Sequence, residues 1–105
     1  MILEKIGESL EVDGKVFAVG SRVLSVDGSD YGKLYGTIVE IRTDSDKDTE
    51  NEGPDIYVCF DPPEDENTIA ELEERFTELY GEPKTIGDIA LDLVIMAPEE
   101  LILAE

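Results

Sequence analysis

The chain has no histidine, no tryptophan and a single cysteine, and only eight of its 105 residues are lysine or arginine. Each scarcity removes a class of function. Without histidine, and with Cys59 set inside the apolar run Ile56-Tyr57-Val58-Cys59-Phe60, a nucleophile–base pair has almost nothing to be built from, so a catalytic role is not expected. One cysteine forms no intrachain disulfide, and a buried thiol is its ordinary state. No run of apolar residues approaches the ~18 needed to cross a bilayer, and the opening MILEKIGES has neither a basic region nor a signal-like apolar segment. A cytoplasmic setting is therefore expected, with no membrane contact.

What is abundant is acid. Twenty-seven Asp and Glu face eight Lys and Arg, for a formal charge of -19. A field of that sign repels nucleic-acid phosphates and anionic headgroups and attracts basic surfaces, so direct nucleic-acid binding is disfavoured and a basic protein partner is favoured. Excess acid also keeps a small protein soluble, so a structural protein whose charge serves only solubility stands as an alternative. The apolar share of 41% falls in periodic groups, and 105 residues suffice for one core without metals or disulfides, so residues 1–105 are read as a single domain needing no cofactor.

Along the chain, Asp13-Gly14 between alternating apolar residues predicts a hairpin over 9–19. Arg22–Val26 reads as the next strand, and residues 27–36 (DGSDYGKLYG) as a glycine-rich loop. Thr37–Arg42 and Asp55–Asp61 read as an antiparallel pair stopped by Pro62-Pro63. A helix is predicted over 67–81. It opens at Thr68, which forms a capping-box pattern with Glu71, carries Ile69, Leu72, Phe76, Leu79 and Tyr80 on one side, and ends at Gly81 and Pro83. Thr85 and Asp88 begin a short helical turn, and Leu93–Met96 reads as a strand, so 85–105 is taken as a helical turn and a closing strand.

Val19-Gly20-Ser21-Arg22-Val23, Gly32 to Ile41 and Ile56 to Phe60 together resemble the SH3-like barrel class, in particular its KOW-type version. The resemblance covers about residues 17–61 and implies a small, partly open β-barrel there, giving an α+β domain with one amphipathic helix and a C-terminal return strand. KOW-type barrels often contact RNA or ribosomal and transcription proteins through basic and aromatic residues near the loop. Here Asp27 and Asp30 accompany Lys33. The whole-chain layout, including GEPKTIGDIALDLVIMAP, is also similar to a loose group of short acidic proteins of bacterial mobile elements.

Two acidic segments are candidate sites. In DSDKDTENEGPD, residues 44–55, carboxylates occupy positions one, three, five, seven, nine and twelve of an EF-hand-like loop, which makes Asp44, Asp46, Asp48 and Glu50 candidate calcium ligands. Thr49 stands where that loop wants glycine, and strands rather than helices flank it, so a solvated connection between strands is the competing expectation. On the helix, Glu71, Glu74 and Glu78 lie three and four residues apart, about 5–6 Å from one another, a spacing near that of phosphates along a nucleic-acid strand. With Asp65 and the acidic loop they would present an anionic strip to a basic partner. Tyr31 and Tyr35, beside the flexible loop, are candidate aromatic anchors, with packing inside a barrel as the alternative.

Overall fold

The computed structural model describes residues 1–104. Glu105, the last residue of the expected closing segment, lies outside them. In chain order the elements are β1 (Ile2–Leu3), β2 (Ser9–Val12), β3 (Lys15–Ala18), β4 (Arg22–Ser25), β5 (Tyr35–Arg42), β6 (Asp55–Phe60), α1 (Glu66–Tyr80), β7 (Val94–Met96) and β8 (Leu101–Ala104), with single 3₁₀ turns at Asp44–Asp46, Ile86–Asp88 and Pro98–Glu100.

The Asp13-Gly14 hairpin forms as expected. Asp13 and Gly14 take φ of 49° and 83°, the left-handed pair that matches the twist of the flanking strands, and β2 and β3 register from Ser9 opposite Ala18 to Val12 opposite Lys15. This two-stranded unit lays Phe17 and Val19 onto the core.

The main sheet has six strands in the order β7-β6-β5-β4-β8, with β1 also pairing β5, and every pairing is antiparallel. β5 is long enough to serve β4 with its first half and β1 with its second, and a register shift between Ile38 and Glu40 bends it. From Met96 to Leu101 the chain passes from one edge of the sheet to the other. Five residue steps reach at most about 17 Å, while five flat strands would hold their edges about 19 Å apart, and the 3₁₀ turn in the link shortens the reach further. The sheet must therefore be rolled. It is not closed: β7 pairs with β6 and β8 with β4, but not with each other. The α+β class and the antiparallel strands with one helix are as expected; where a partly open barrel was expected the sheet is curled and not closed, and the return to it is made by two strands at opposite edges rather than one.

Inside the roll, Ile38, Ile41, Ile56, Val58, Val23 and Leu101 are fully buried, and α1 adds Leu72 and Phe76. The helix starts earlier than its sequence pattern suggests. Asp65 is the N-cap and its carboxylate accepts from the Thr68 amide at 3.0 Å and the Thr68 hydroxyl at 3.1 Å, so Thr68 is a donor to the cap rather than the cap. Gly81, at φ 72°, ends it as expected. Leu79 and Tyr80, assigned by periodicity to the apolar side, remain 53% and 61% exposed; Tyr80 stacks on Phe76 and receives the Lys84 ammonium over its ring.

Tyr31 joins the layers. Its ring stacks on Phe60 at 5.0 Å, meets Phe76 edge-on at 5.2 Å, and its hydroxyl donates to the Ala90 carbonyl at 2.7 Å. One side chain thereby ties the 27–34 loop to β6, α1 and the segment before β7.

Candidate functional site

Glu71, Glu74 and Glu78 all lie on the exposed side of α1, as does Glu66. None of the four is in an ion pair among the described residues. Arg75, the one base of the helix, turns away to donate to the Asp30 carbonyl at 2.8 Å, and Glu73 is half-buried, accepting from the Ile86 amide at 2.7 Å to hold the following 3₁₀ turn. Helix α1 therefore separates its acids by task. Asp65 caps it, Glu73 anchors its neighbour, and Glu71, Glu74 and Glu78 face water.

The bases elsewhere are largely occupied. Arg22 pairs with Asp61, Arg42 with Glu40 and Asp48, and Lys84 with Glu82 at 2.9 Å, while Lys47 donates to the Asn51 carbonyl. The Arg22 guanidinium holds the Asp61 carboxyl below the usual carboxylate range.

The acidic loop is not the loose, solvated connection its composition suggests. Asp55, at the start of β6, is fully buried, and its carboxylate accepts from the amides of Asp48 at 2.7 Å and Thr49 at 2.9 Å and from the Thr49 hydroxyl. Burial pushes this carboxyl up, but the Thr49 and Asp48 donors together with the charge of Lys47 hold it below its ordinary range. Tyr57 donates to the Asp48 carboxylate and lies under the Arg42 guanidinium at 5.0 Å; burial, with that hydrogen bond, pushes its phenol up to about 12. The loop is strapped down across the outer face of β6.

That strapping disperses the carboxylates that the calcium pattern would bring together. Asp46 pairs with the N-terminal ammonium, Asp48 with Arg42 and Tyr57, and Asp55 with the loop's own amides. Asp44, at φ 55°, accepts from the Thr43 hydroxyl, and Glu50 is exposed. Among the described residues no group of three or more carboxylates converges on a point where a metal could sit.

Tyr31 is committed to internal packing, so Tyr35, 50% exposed, is the tyrosine of the pair that faces outward. It shares a small cleft of about 250 Å³ with Asp65, floored by Leu34, Pro62 and Pro63. Sequence reasoning passed over a larger cleft, of about 860 Å³, between the β2–β3 hairpin, residues 51–53 and the Pro98–Glu100 turn. Its contributors are separated by tens of residues, so no local pattern shows that they meet.

No family model, curated protein or solved structure matches the chain. Among the described residues no helix is long and apolar enough to cross a membrane.

Proposed function

We propose that this is a non-enzymatic, cytoplasmic binding protein whose acidic face docks a basic protein surface, that of a nucleic-acid-handling protein, in the position a phosphate backbone would occupy. The observation that carries the reading is the strip Glu71–Glu74–Glu78, exposed along α1 and in no ion pair with a described residue, while Arg75, the one base beside it, donates instead to the Asp30 carbonyl. An ordinary solvent-facing helix intersperses bases with its acids. Here the base on the helix is drawn off to a carbonyl and the last turn holds no base at all, although the helix dipole favours one there. Contact with a basic groove would neutralise the strip and release the anions bound to that groove, as a phosphate backbone does. The curled antiparallel sheet supports an SH3-like reading of the frame that presents the strip.

The test is capture of basic proteins from the native host at low salt by the wild type and by Glu71→Gln/Glu74→Gln/Glu78→Gln. Capture should be steeply lost between low and moderate salt and largely absent for the variant. Capture indifferent to both, or tight co-purification of DNA or RNA with this chain, removes the reading.

A further inference from the structure

The larger cleft lies beside the seam where the rolled sheet fails to close, since the turn that lines it is the link from β7 to β8. Its floor is apolar: Phe17, Ala97 and Pro98 are buried and Val12 half-buried. Its rim is acidic, and the acids come from three separate segments. Asp13 is set there by the left-handed hairpin turn, Glu52 by the end of the strapped loop, and Glu99 and Glu100 by the 3₁₀ turn. Glu100 accepts from the Ala97 amide at 3.0 Å and so fixes its own turn. Asp13, Glu52 and Glu99 make no hydrogen bond or ion pair with a described side chain, and Lys15 is the only base on the lining. The wall is firm, because Gly53 sits so close to the Pro98 ring that a Cβ there would stand 3.2 Å from its Cγ and Cδ.

An apolar floor under unpaired carboxylates suits a side chain that is a hydrocarbon stem ending in a positive charge. A volume of about 860 Å³ is far more than one such side chain fills and lies within the range, ~300–1,000 Å³, of clefts that enclose a ligand of several residues' size. We propose that this cleft is the anchor site for an extended, arginine-bearing segment of a protein partner, with alkyl stems and apolar neighbours on Val12 and Pro98 and guanidinium groups at Asp13, Glu52 and Glu99. Arginine fits better than lysine because its planar fork bonds a carboxylate in two places and is the more weakly hydrated cation. The inference rests on the reading of the protein as a binder of basic surfaces, and adds to the helix strip a second, shaped contact that confers sequence preference.

The experiment is an amide NMR titration of the full chain with a short peptide in which arginine alternates with leucine, and separately with spermine. Saturable shifts are expected at residues 12–17, 51–53 and 97–100. Asp13→Asn/Glu52→Gln/Glu99→Gln should weaken the peptide on the order of tenfold, from three rim charge contacts of modest individual strength, while its dispersed spectrum shows that it remains folded. Glu71→Gln/Glu74→Gln/Glu78→Gln should change the peptide affinity less than about twofold, since the strip does not line the cleft. Shifts centred on α1 or spread over the acidic surface, an affinity that ignores the cleft variant, or spermine binding the cleft as tightly as the peptide would each overturn the anchor site. None of these results would disturb the salt-dependent capture by the helix strip, so the two readings fail separately.

Discussion

Asp55→Asn is the substitution that most directly probes how this acidic chain holds itself together. Asp55 is the one buried charged side chain among the described residues, and its two oxygens take two backbone amides and a hydroxyl from residues 48 and 49. Asparagine keeps the shape but offers one oxygen instead of two, puts a donor where the Thr49 hydroxyl now donates, and removes the charge. Hydrogen bonds to an ionised acceptor are worth about 1.5–3 kcal/mol each and neutral ones about 1 kcal/mol, so across the three bonds the exchange should cost at least about 2 kcal/mol. For a domain of this size that lowers Tm by roughly 8–16 °C. The substitution also removes one of many mutually repelling negative charges, so the observed loss is a lower limit on what the hydrogen bonds contribute. The pH dependence gives a sharper check. The Asp55 carboxyl is held below its ordinary range in the folded state, so its contribution is complete above the unfolded-state value of about 3.9 and is lost as pH falls through the lower folded value. Thermal unfolding followed by circular dichroism should show the full gap between wild type and variant at pH 7 and pH 5, narrowing toward pH 3. The other carboxylates titrate in both proteins and largely cancel in the difference. A gap that does not change with pH, or an asparagine variant within ~0.5 kcal/mol of wild type, would refute the assignment of Asp55 as the strap of this loop.

Tyr31→Phe removes only the bond to the Ala90 carbonyl and should cost about 1 kcal/mol by denaturant unfolding; Tyr31→Ala removes both ring contacts as well and should cost about 3–5 kcal/mol, whereas near-wild-type stability for both would mean that Tyr31 does not join the layers. Gly36→Ala would place a Cβ 2.6 Å from Val58 Cγ1 and 2.9 Å from the Cys59 carbonyl oxygen, so β5 or β6 must shift, and a loss of about 1–3 kcal/mol is expected from the same measurement. Glu71→Gln/Glu74→Gln/Glu78→Gln should be more stable than wild type by about 0.4–1 kcal/mol, because it relieves two like-charge pairs at helical spacing, and added salt should raise the wild-type Tm more than the variant's. Equal response of the two proteins to salt would remove the repulsion.

Much of the frame could be read from local chemistry. Asp13-Gly14 can hardly do anything but turn, Thr37–Arg42 and Ile56–Phe60 carry the β-branched and apolar residues of a central pair, and Gly81 closes the helix through a conformation other residues resist. What could not be read depended on contacts between distant segments. Ile2–Leu3 becomes a strand because the second half of β5 has a free edge. The tail Leu101–Ala104 joins β4 because the rolled sheet brings that edge within reach of a four-residue link. The helix starts at Glu66 because Asp65 and Thr68 divide the capping bond between them, and a capping pattern alone does not say which of two polar residues accepts. The same limit applies to the sites. Carboxylate spacing within 44–55 shows where charges fall along the chain, but Arg42, Tyr57, the N-terminus and buried Asp55 decide where they point. The helix strip was legible because a regular helix converts spacing directly into a face.

The two acidic segments therefore differ in kind, and the difference bears on what each is for. Three of the loop's acids are consumed within the fold: Asp46, Asp48 and Asp55 have internal partners, and their net effect is to stabilise it, whereas Glu50 is exposed and Glu52 lies on the cleft rim. On α1 the balance is reversed. Glu71, Glu74 and Glu78 repel each other across helical turns, Glu78 stands in a last turn where the dipole disfavours an anion, and none of the three is in an ion pair with a described residue. Asp13, Glu52 and Glu99 at the cleft are likewise unmatched. A charge that serves only solubility gains nothing from being lined up along one helix face or gathered around an apolar floor, since dispersed acids solubilise equally well with less repulsion. Alignment and convergence are gains only if a partner supplies the missing positive charge. The proposed binding therefore falls to the strip and the cleft, to which the acidic loop contributes Glu52 while its paired acids hold it over β6.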